Sequence, residues 1–240
     1  MARKSARSRS AAKHRRSRHL LAKAPPLTLV LACEGETEKR YFRELFKLVP
    51  ELRDHVHVRL ARPKGTDLAA LVRAADQEVK RIGSIRGLSA WVVCDVDQNQ
   101  ADDLERAKNW CSKDGTRGVA LTNPCIEQWF LTYLEARPKS YTKCGDYREE
   151  VEAQLPGYSK RRSVQLPAEL LDWPATLVAV QRGWRRLNEI HVGEDCAPGE
   201  ALKAVWDSTN RSTLPLLFSH VARAVNRRTG TETINLSPAG

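Results

Sequence analysis

The sequence predicts an α/β protein built on a doubly wound, mostly parallel sheet, and three observations carry that expectation. Two apolar runs, residues 27–33 and 90–94, are continuous rather than alternating, the pattern of strands covered on both faces. Strand-like and helix-like periodicities succeed one another in the order βαβαβαβα, followed by helices. Both continuous runs also stop on carboxylates, at the strand ends where parallel sheets bind their ligands.

The chain opens on a basic tail, residues 1–24. Of the net charge of +11, nine positive residues lie there (Arg3, Lys4, Arg7, Arg9, Lys13, Arg15, Arg16, Arg18 and Lys23) with no acid, which leaves +2 for the rest. Such a segment has too little apolar surface to fold alone, so it is expected to be disordered when free. It would bind polyanions by counterion release, adding affinity without sequence preference. Only Leu20, Leu21 and Ala22 follow before Lys23, too short an apolar run for a secretory signal, although the composition is also compatible with an organelle transit peptide. No apolar run approaches the ~18 residues of a membrane span. Cys33, Cys94, Cys111, Cys125, Cys144 and Cys196 show neither Cys-x-x-Cys nor zinc-finger spacing, which predicts a reduced, cytoplasmic protein without structural zinc.

After Pro25-Pro26 the first strand runs directly into Glu34-Gly35-Glu36-Thr37-Glu38. Gly35 permits a tight strand-to-helix turn, and Tyr41, Phe42, Leu45, Phe46 and Val49 form the apolar stripe of the helix behind it. Glu36 and Glu38 would suit that helix's dipole, whereas Glu34 takes a strand terminus where a core residue is otherwise expected. Residues 55–61 alternate and predict a strand with one exposed face, so His55 and His57, lacking a third ligand, read as surface residues. Lys64-Gly65-Thr66-Asp67 caps a long helix striped by Leu68, Leu71, Val72, Ala75, Val79 and Ile82; one Gly beside one Lys falls far short of a phosphate loop.

The strand at 89–97 delivers Asp95 and Asp97 to one side of its end, since side chains repeat every second residue. Like charges so close call for a cation between them, and oxygen-only ligands favour Mg²⁺ or Mn²⁺. The competing reading is a polar strand end that caps the next helix, at about residues 101–113. Residues 119–122 form a further strand. Asn123 and Pro124 then read as N-cap and first residue of a helix that holds Glu127 near its start, with Trp129, Phe130, Tyr133 and Leu134 as core contacts. Beyond about residue 138 the sequence turns Pro-, Gly- and charge-rich, with helices expected near 175–190, 199–207 and 213–227. There Tyr158 stands beside Lys160, Arg161 and Arg162, a mixture that suits single-stranded nucleic acid and equally a solvated surface.

Successive βα units thus place acid at one sheet edge: Glu34, then Asp95 and Asp97, then Glu127. A convergent all-carboxylate site predicts one or two Mg²⁺ ions able to orient a phosphodiester and activate water. Cys-Glu-Gly-Glu-Thr-Glu at 33–38, Asp-Val-Asp at 95–97 and Asn-Pro-Cys-Ile-Glu-Gln-Trp at 123–129 resemble, in order and spacing, the topoisomerase–primase (Toprim) domain of overcoming-lysogenization-defect nucleases, and more closely the RloB-like family. The resemblance covers about residues 10–135 and implies a Toprim-like domain at 25–137, followed by a helical region at 138–240. It implies a metal-dependent nuclease of DNA or RNA, including tRNA, in bacterial anti-phage defence, sometimes beside an ATPase. A homo-oligomer is compatible with it. Carried over, Glu34 would be the catalytic acid or metal ligand, Asp95 and Asp97 metal ligands, and Glu38 and Glu127 supporting acids. Ile126 stands where the family usually has an aromatic. Arg117 and Lys113 are the only candidates the sequence offers for a transition-state cation. Rival readings are a haloacid dehalogenase-type phosphatase, which would carry its Asp-x-Asp on the first strand, and a metal-dependent sugar transferase, for which the sugar-site aromatics are missing. A non-catalytic nucleic-acid-binding or regulatory subunit is the stronger rival.

Overall fold

The structure is a computed structural model and describes residues 24–96, 101–135, 138–161, 165–193 and 196–230. Its centre is a five-stranded sheet made of β1 (Leu27–Cys33), β2 (Val56–Leu60), β3 (Leu88–Asp95), β4 (Arg117–Asn123) and β5 (Arg211–Ser212) in the order β2-β1-β3-β4-β5. The first four strands are parallel, and β5 is antiparallel to β4. The expected mostly parallel sheet is therefore present, with a short antiparallel edge added from late in the chain.

Why this order follows from the sequence is visible in the burial of each strand. β1 and β3 are almost wholly buried, as continuous apolar runs require, whereas β2 alternates and lies at the edge with His57 and Arg59 exposed. Helix α1 (Glu36–Leu48) and the short α2 (Pro50–Arg53) connect β1 to β2. Helix α3 (Leu68–Ile82), whose cap residue Asp67 accepts from the Ala70 N–H at 2.8 Å, crosses back over β1 to β3, and α4 (Ala101–Ser112) leads on to β4. Chain progression thus reverses between β1 and β3, which makes their carboxyl ends the topological switch point of the sheet.

One face of the sheet carries α3 and α4, joined by the Trp110 indole donating to Asp76 at 3.0 Å. The other carries α1, α5 (Ile126–Leu134) and α9 (Leu214–Thr229), locked by ring contacts of Tyr41 with Phe130 and Phe218 and of Trp129 with Phe218. Helices α6 (Cys144–Gln154), α7 (Trp173–Asn188) and α8 (Pro198–Trp206) complete the helical C-terminal region, and a single buried cluster runs from Leu27 to Val225. Within it the Trp91 ring fills the space above Gly118, its register partner on β4, where a Cβ would stand 2.6 Å from the ring.

One expected cap is corrected. Helix α5 begins at Ile126 with Cys125 as its N-cap residue, while Asn123 ends β4 and Pro124 follows it through a cis peptide bond. The Asn123 amide does not cap the helix, because it donates to the carbonyls of Val205, Trp206 and Ser208 at 3.2, 3.2 and 2.6 Å. Among the described residues no helix is long and apolar enough to cross a membrane, and all six cysteines are free.

Candidate functional site

At the switch point the β1–β3 ladder continues one residue past the strand, with the Glu34 N–H donating to Val93 O at 3.0 Å. This places the Glu34 side chain across the gap between the two strand ends, where its Oε2 accepts from the Asp95 N–H at 3.1 Å. Both acids remain half-buried. Two further acids stand behind them without access to bulk water: Glu38, one turn into α1, is 5 % exposed, and Glu127, in the first turn of α5, is 0 % exposed. Their helices are fixed to each other by the Tyr41 and Tyr133 hydroxyls at 2.6 Å and by the Trp129 indole donating to Tyr41 at 3.2 Å.

Glu127 Oε1 accepts from the Tyr158 hydroxyl at 2.9 Å and from Lys160 Nζ at 2.8 Å. Burial and then the Glu127 charge hold the Tyr158 hydroxyl well above its ordinary pKa, so it stays a donor. Partial burial works against the Lys160 charge, yet the Glu127 carboxylate overcomes it and lifts the ammonium above the usual lysine value. The segment carrying both groups is strapped down by Arg40, whose guanidinium donates to the carbonyls of Ser159 and Arg161, each at 2.6 Å.

Glu38 is held differently. Burial pushes its carboxyl above the ordinary range, with the Glu127 charge adding to the rise, against its own backbone N–H, Lys160 and the Gly35 N–H. Glu38 Oε2 and Glu127 Oε2 are both buried and, among the described residues, accept no hydrogen bond. A buried acceptor left unmatched costs ~1–3 kcal/mol, and here two such oxygens lie in neighbouring carboxylates. Among the described residues no three acids, cysteines or histidines close into a ready metal cluster. The donor set is nevertheless all oxygen, the chemistry of Mg²⁺ or Mn²⁺, and Glu34, Asp95, Glu38 and Glu127 are the residues here that would hold such an ion.

Gly35 packs closely against the Glu38 side chain. A Cβ there would overlap the Glu38 carboxylate, Oε2 first and Cδ at 3.2 Å, and the carboxylate is the movable partner. Gly35→Ala is therefore expected to melt within a few degrees of the parent, about 1 kcal/mol being worth 2–4 °C at this size, while losing most of any stabilisation that added Mg²⁺ would give the parent. Differential scanning fluorimetry with Mg²⁺ or EDTA reads both.

Glu34, Asp95 and Glu127, expected at the edge, and Glu38, expected as a supporting acid, are thus brought together, and Lys160 joins them. Asp97, Arg162 and the tail residues Arg3, Lys4, Arg7, Arg9, Lys13, Arg15, Arg16 and Arg18 lie outside the described residues. Arg161 is exposed and serves the site through its backbone carbonyl. Arg117 and Lys113 are corrected: they sit at the opposite sheet edge, where Arg117 stacks on Trp110 at 5.3 Å and pairs with Asp76 at 3.3 Å. Sequence reasoning misses the roles of Arg40 and Tyr158; the sequence shows Tyr158 only as an aromatic beside Lys160, Arg161 and Arg162.

Fold and edge together define an α/β protein with a carboxylate-lined switch point backed by one lysine. A family model described as RloB-like protein matches residues 29–202, and the chain belongs to that family. Neither the curated proteins nor the solved structures contain a match to it.

Proposed function

We propose that this protein is a divalent-metal-dependent nuclease that hydrolyses phosphodiester bonds of DNA or RNA at the β1–β3 switch point. The observation that carries the reading is the pair of buried, unmatched carboxylate oxygens of Glu38 and Glu127 behind the Glu34–Asp95 bridge. When bound there, a Mg²⁺ or Mn²⁺ ion supplies Lewis-acid polarisation of a phosphate oxygen and a more acidic water. The chain's own groups do the rest. Glu34 and Asp95, bridged at the strand ends, would hold the cation, with Asp97 expected to join them. Glu38 and Glu127 add charge from behind. The Lys160 ammonium, held by Glu127, offers a fixed positive donor where negative charge develops on a phosphoryl group in transfer. A role in anti-phage defence and an ATPase partner belong to the same proposal and rest on the family resemblance.

A second reading, a non-catalytic nucleic-acid-binding or regulatory subunit, is favoured by one observation: Lys160 already supplies Glu127 with a positive partner. One experiment separates the two. Labelled duplex DNA, single-stranded DNA and a total tRNA pool are incubated with the full chain and Mg²⁺, Mn²⁺ or EDTA, beside Asp95→Ala. Metal-dependent cutting that Asp95→Ala lacks is the expected result and names the substrate. Salt-sensitive binding without cutting, unchanged in Asp95→Ala, would transfer the case to the second reading.

A further inference from the structure

The edge strand β2 and helix α3 enclose a cleft of about 610 Å³, lined by Arg59, Arg62 and Arg81 among others. It continues into a smaller hollow of about 120 Å³ that adds Lys64 and Arg73, with Arg62, Ala74 and Gln77 shared by both. All five cations have exposed side chains. Two acids answer them in part: Glu78 pairs with Arg81 at 2.5 Å and Arg59 at 3.7 Å, and Asp67 meets Arg73 at 4.0 Å. Five positive against two negative charges leave the groove at +3, more than the +2 of the whole chain outside residues 1–24. Arg62 and Lys64 make no ion pair among the described residues.

Position gives this charge its meaning. Arg62 and Lys64 follow the carboxyl end of β2, so the groove opens at the same sheet edge as Glu34 and Asp95. β2 neighbours β1, and adjacent strands are ~4.8 Å apart. From that edge the groove follows α3, whose 15 residues extend ~22 Å. We infer that this groove is the track along which the folded domain holds the sugar-phosphate backbone of a nucleic acid, leading the strand to the acids. The inference rests on the nuclease reading for its purpose and adds a binding surface distinct from the basic tail and from Lys160–Arg161. A lipid surface suits it less, since the groove is concave and Leu48, Ile85 and Val178, the large exposed apolar side chains among the described residues, do not line it.

Fluorescence anisotropy of labelled single-stranded and duplex oligonucleotides, in EDTA and over a range of salt, tests this in the full chain. Three phosphate contacts contribute ~0.9 each to the slope of log K against log salt on duplex and ~0.7 on single strands. Arg62→Ala/Lys64→Ala/Arg73→Ala is therefore expected to lower that slope by ~2–3 and weaken binding at least tenfold, with parental melting behaviour. Arg62→Lys/Arg73→Lys should bind as the parent does. Parental affinity and slope in the triple alanine variant would overturn the proposal. So would loss of binding to phosphatidylserine vesicles with oligonucleotide binding intact. Because EDTA prevents any cutting, absence of nuclease activity leaves this result readable: the groove stands if the triple variant loses binding, whatever Asp95→Ala does to cleavage.

Discussion

Glu38→Gln is expected to melt several degrees above the parent in EDTA while losing most of the nucleolytic activity proposed above. The first half follows from burial. Glu38 is 5 % exposed, with one carboxylate oxygen accepting nothing, so at neutral pH the fold carries the cost of a charge it does not fully solvate. Glutamine keeps the shape and removes that charge. The pH dependence carries the sign. A carboxyl raised in the folded state binds its proton more tightly there than in the unfolded chain. Folding is then favoured below the unfolded value near 4.3, and that advantage is lost as pH rises through the folded value. Over that window the parent should lose stability in EDTA and Glu38→Gln should not. The second half follows because the same charge is what a cation would use. Added Mg²⁺ at ~100 times its Kd would stabilise the parent by ~2.7 kcal/mol, and the variant by far less. Melting curves from pH 4 to 8, with and without Mg²⁺, measure this, and a variant less stable than the parent in EDTA would show that Glu38 is structural.

Much of this arrangement was legible because strand ends are local events. The apolar runs through Cys33 and Cys94 stop on Glu34 and Asp95, and a parallel sheet brings such ends to one edge whatever lies between them. What sequence could not give is what long-range contacts decide. Asn123 looks like a helix cap until carbonyls more than 80 residues later take its amide. β5 has two residues, too few for any periodicity, and is held by pairing to Thr122 and Asn123. Arg117 stands near the acids in sequence, yet it begins β4 rather than ending it, so the length of one strand separates it from them. Lys160 had weak claims from its neighbours alone. It enters the site because Arg40, on the helix that carries Glu38, holds the backbone on either side of it.

Lys160→Met is expected to move cleavage and metal binding in opposite directions. With Mg²⁺ present, cleavage should fall by ~10²–10³-fold, the usual effect of deleting one fixed donor to a developing negative charge. Affinity for the uncut oligonucleotide should stay within a few-fold, since one exposed cation among many contributes little to polyanion binding. Metal binding should tighten. The ammonium stands 2.8 Å from Glu127 Oε1, and its field also acts on Glu38, so it competes for the same negative charge that draws in a divalent ion. Removing it leaves the carboxylates less compensated, and a tenfold tighter Kd would add ~1.4 kcal/mol to the stabilisation by Mg²⁺. The variant's stability in EDTA should fall by more than the ~1 kcal/mol of an exposed pair, because Glu127 is 0 % exposed and loses the cation that compensates its buried charge. Lys160→Arg keeps the charge in a broader head and should recover part of the rate. Kinetics at saturating substrate, paired with Mg²⁺ titrations followed by melting temperature, read both directions at once. A variant that cuts at the parental rate and takes up metal as the parent does would reduce Lys160 to a surface partner of Glu127. A slower variant with unchanged metal affinity would keep its role in the transition state and remove its competition with the cation.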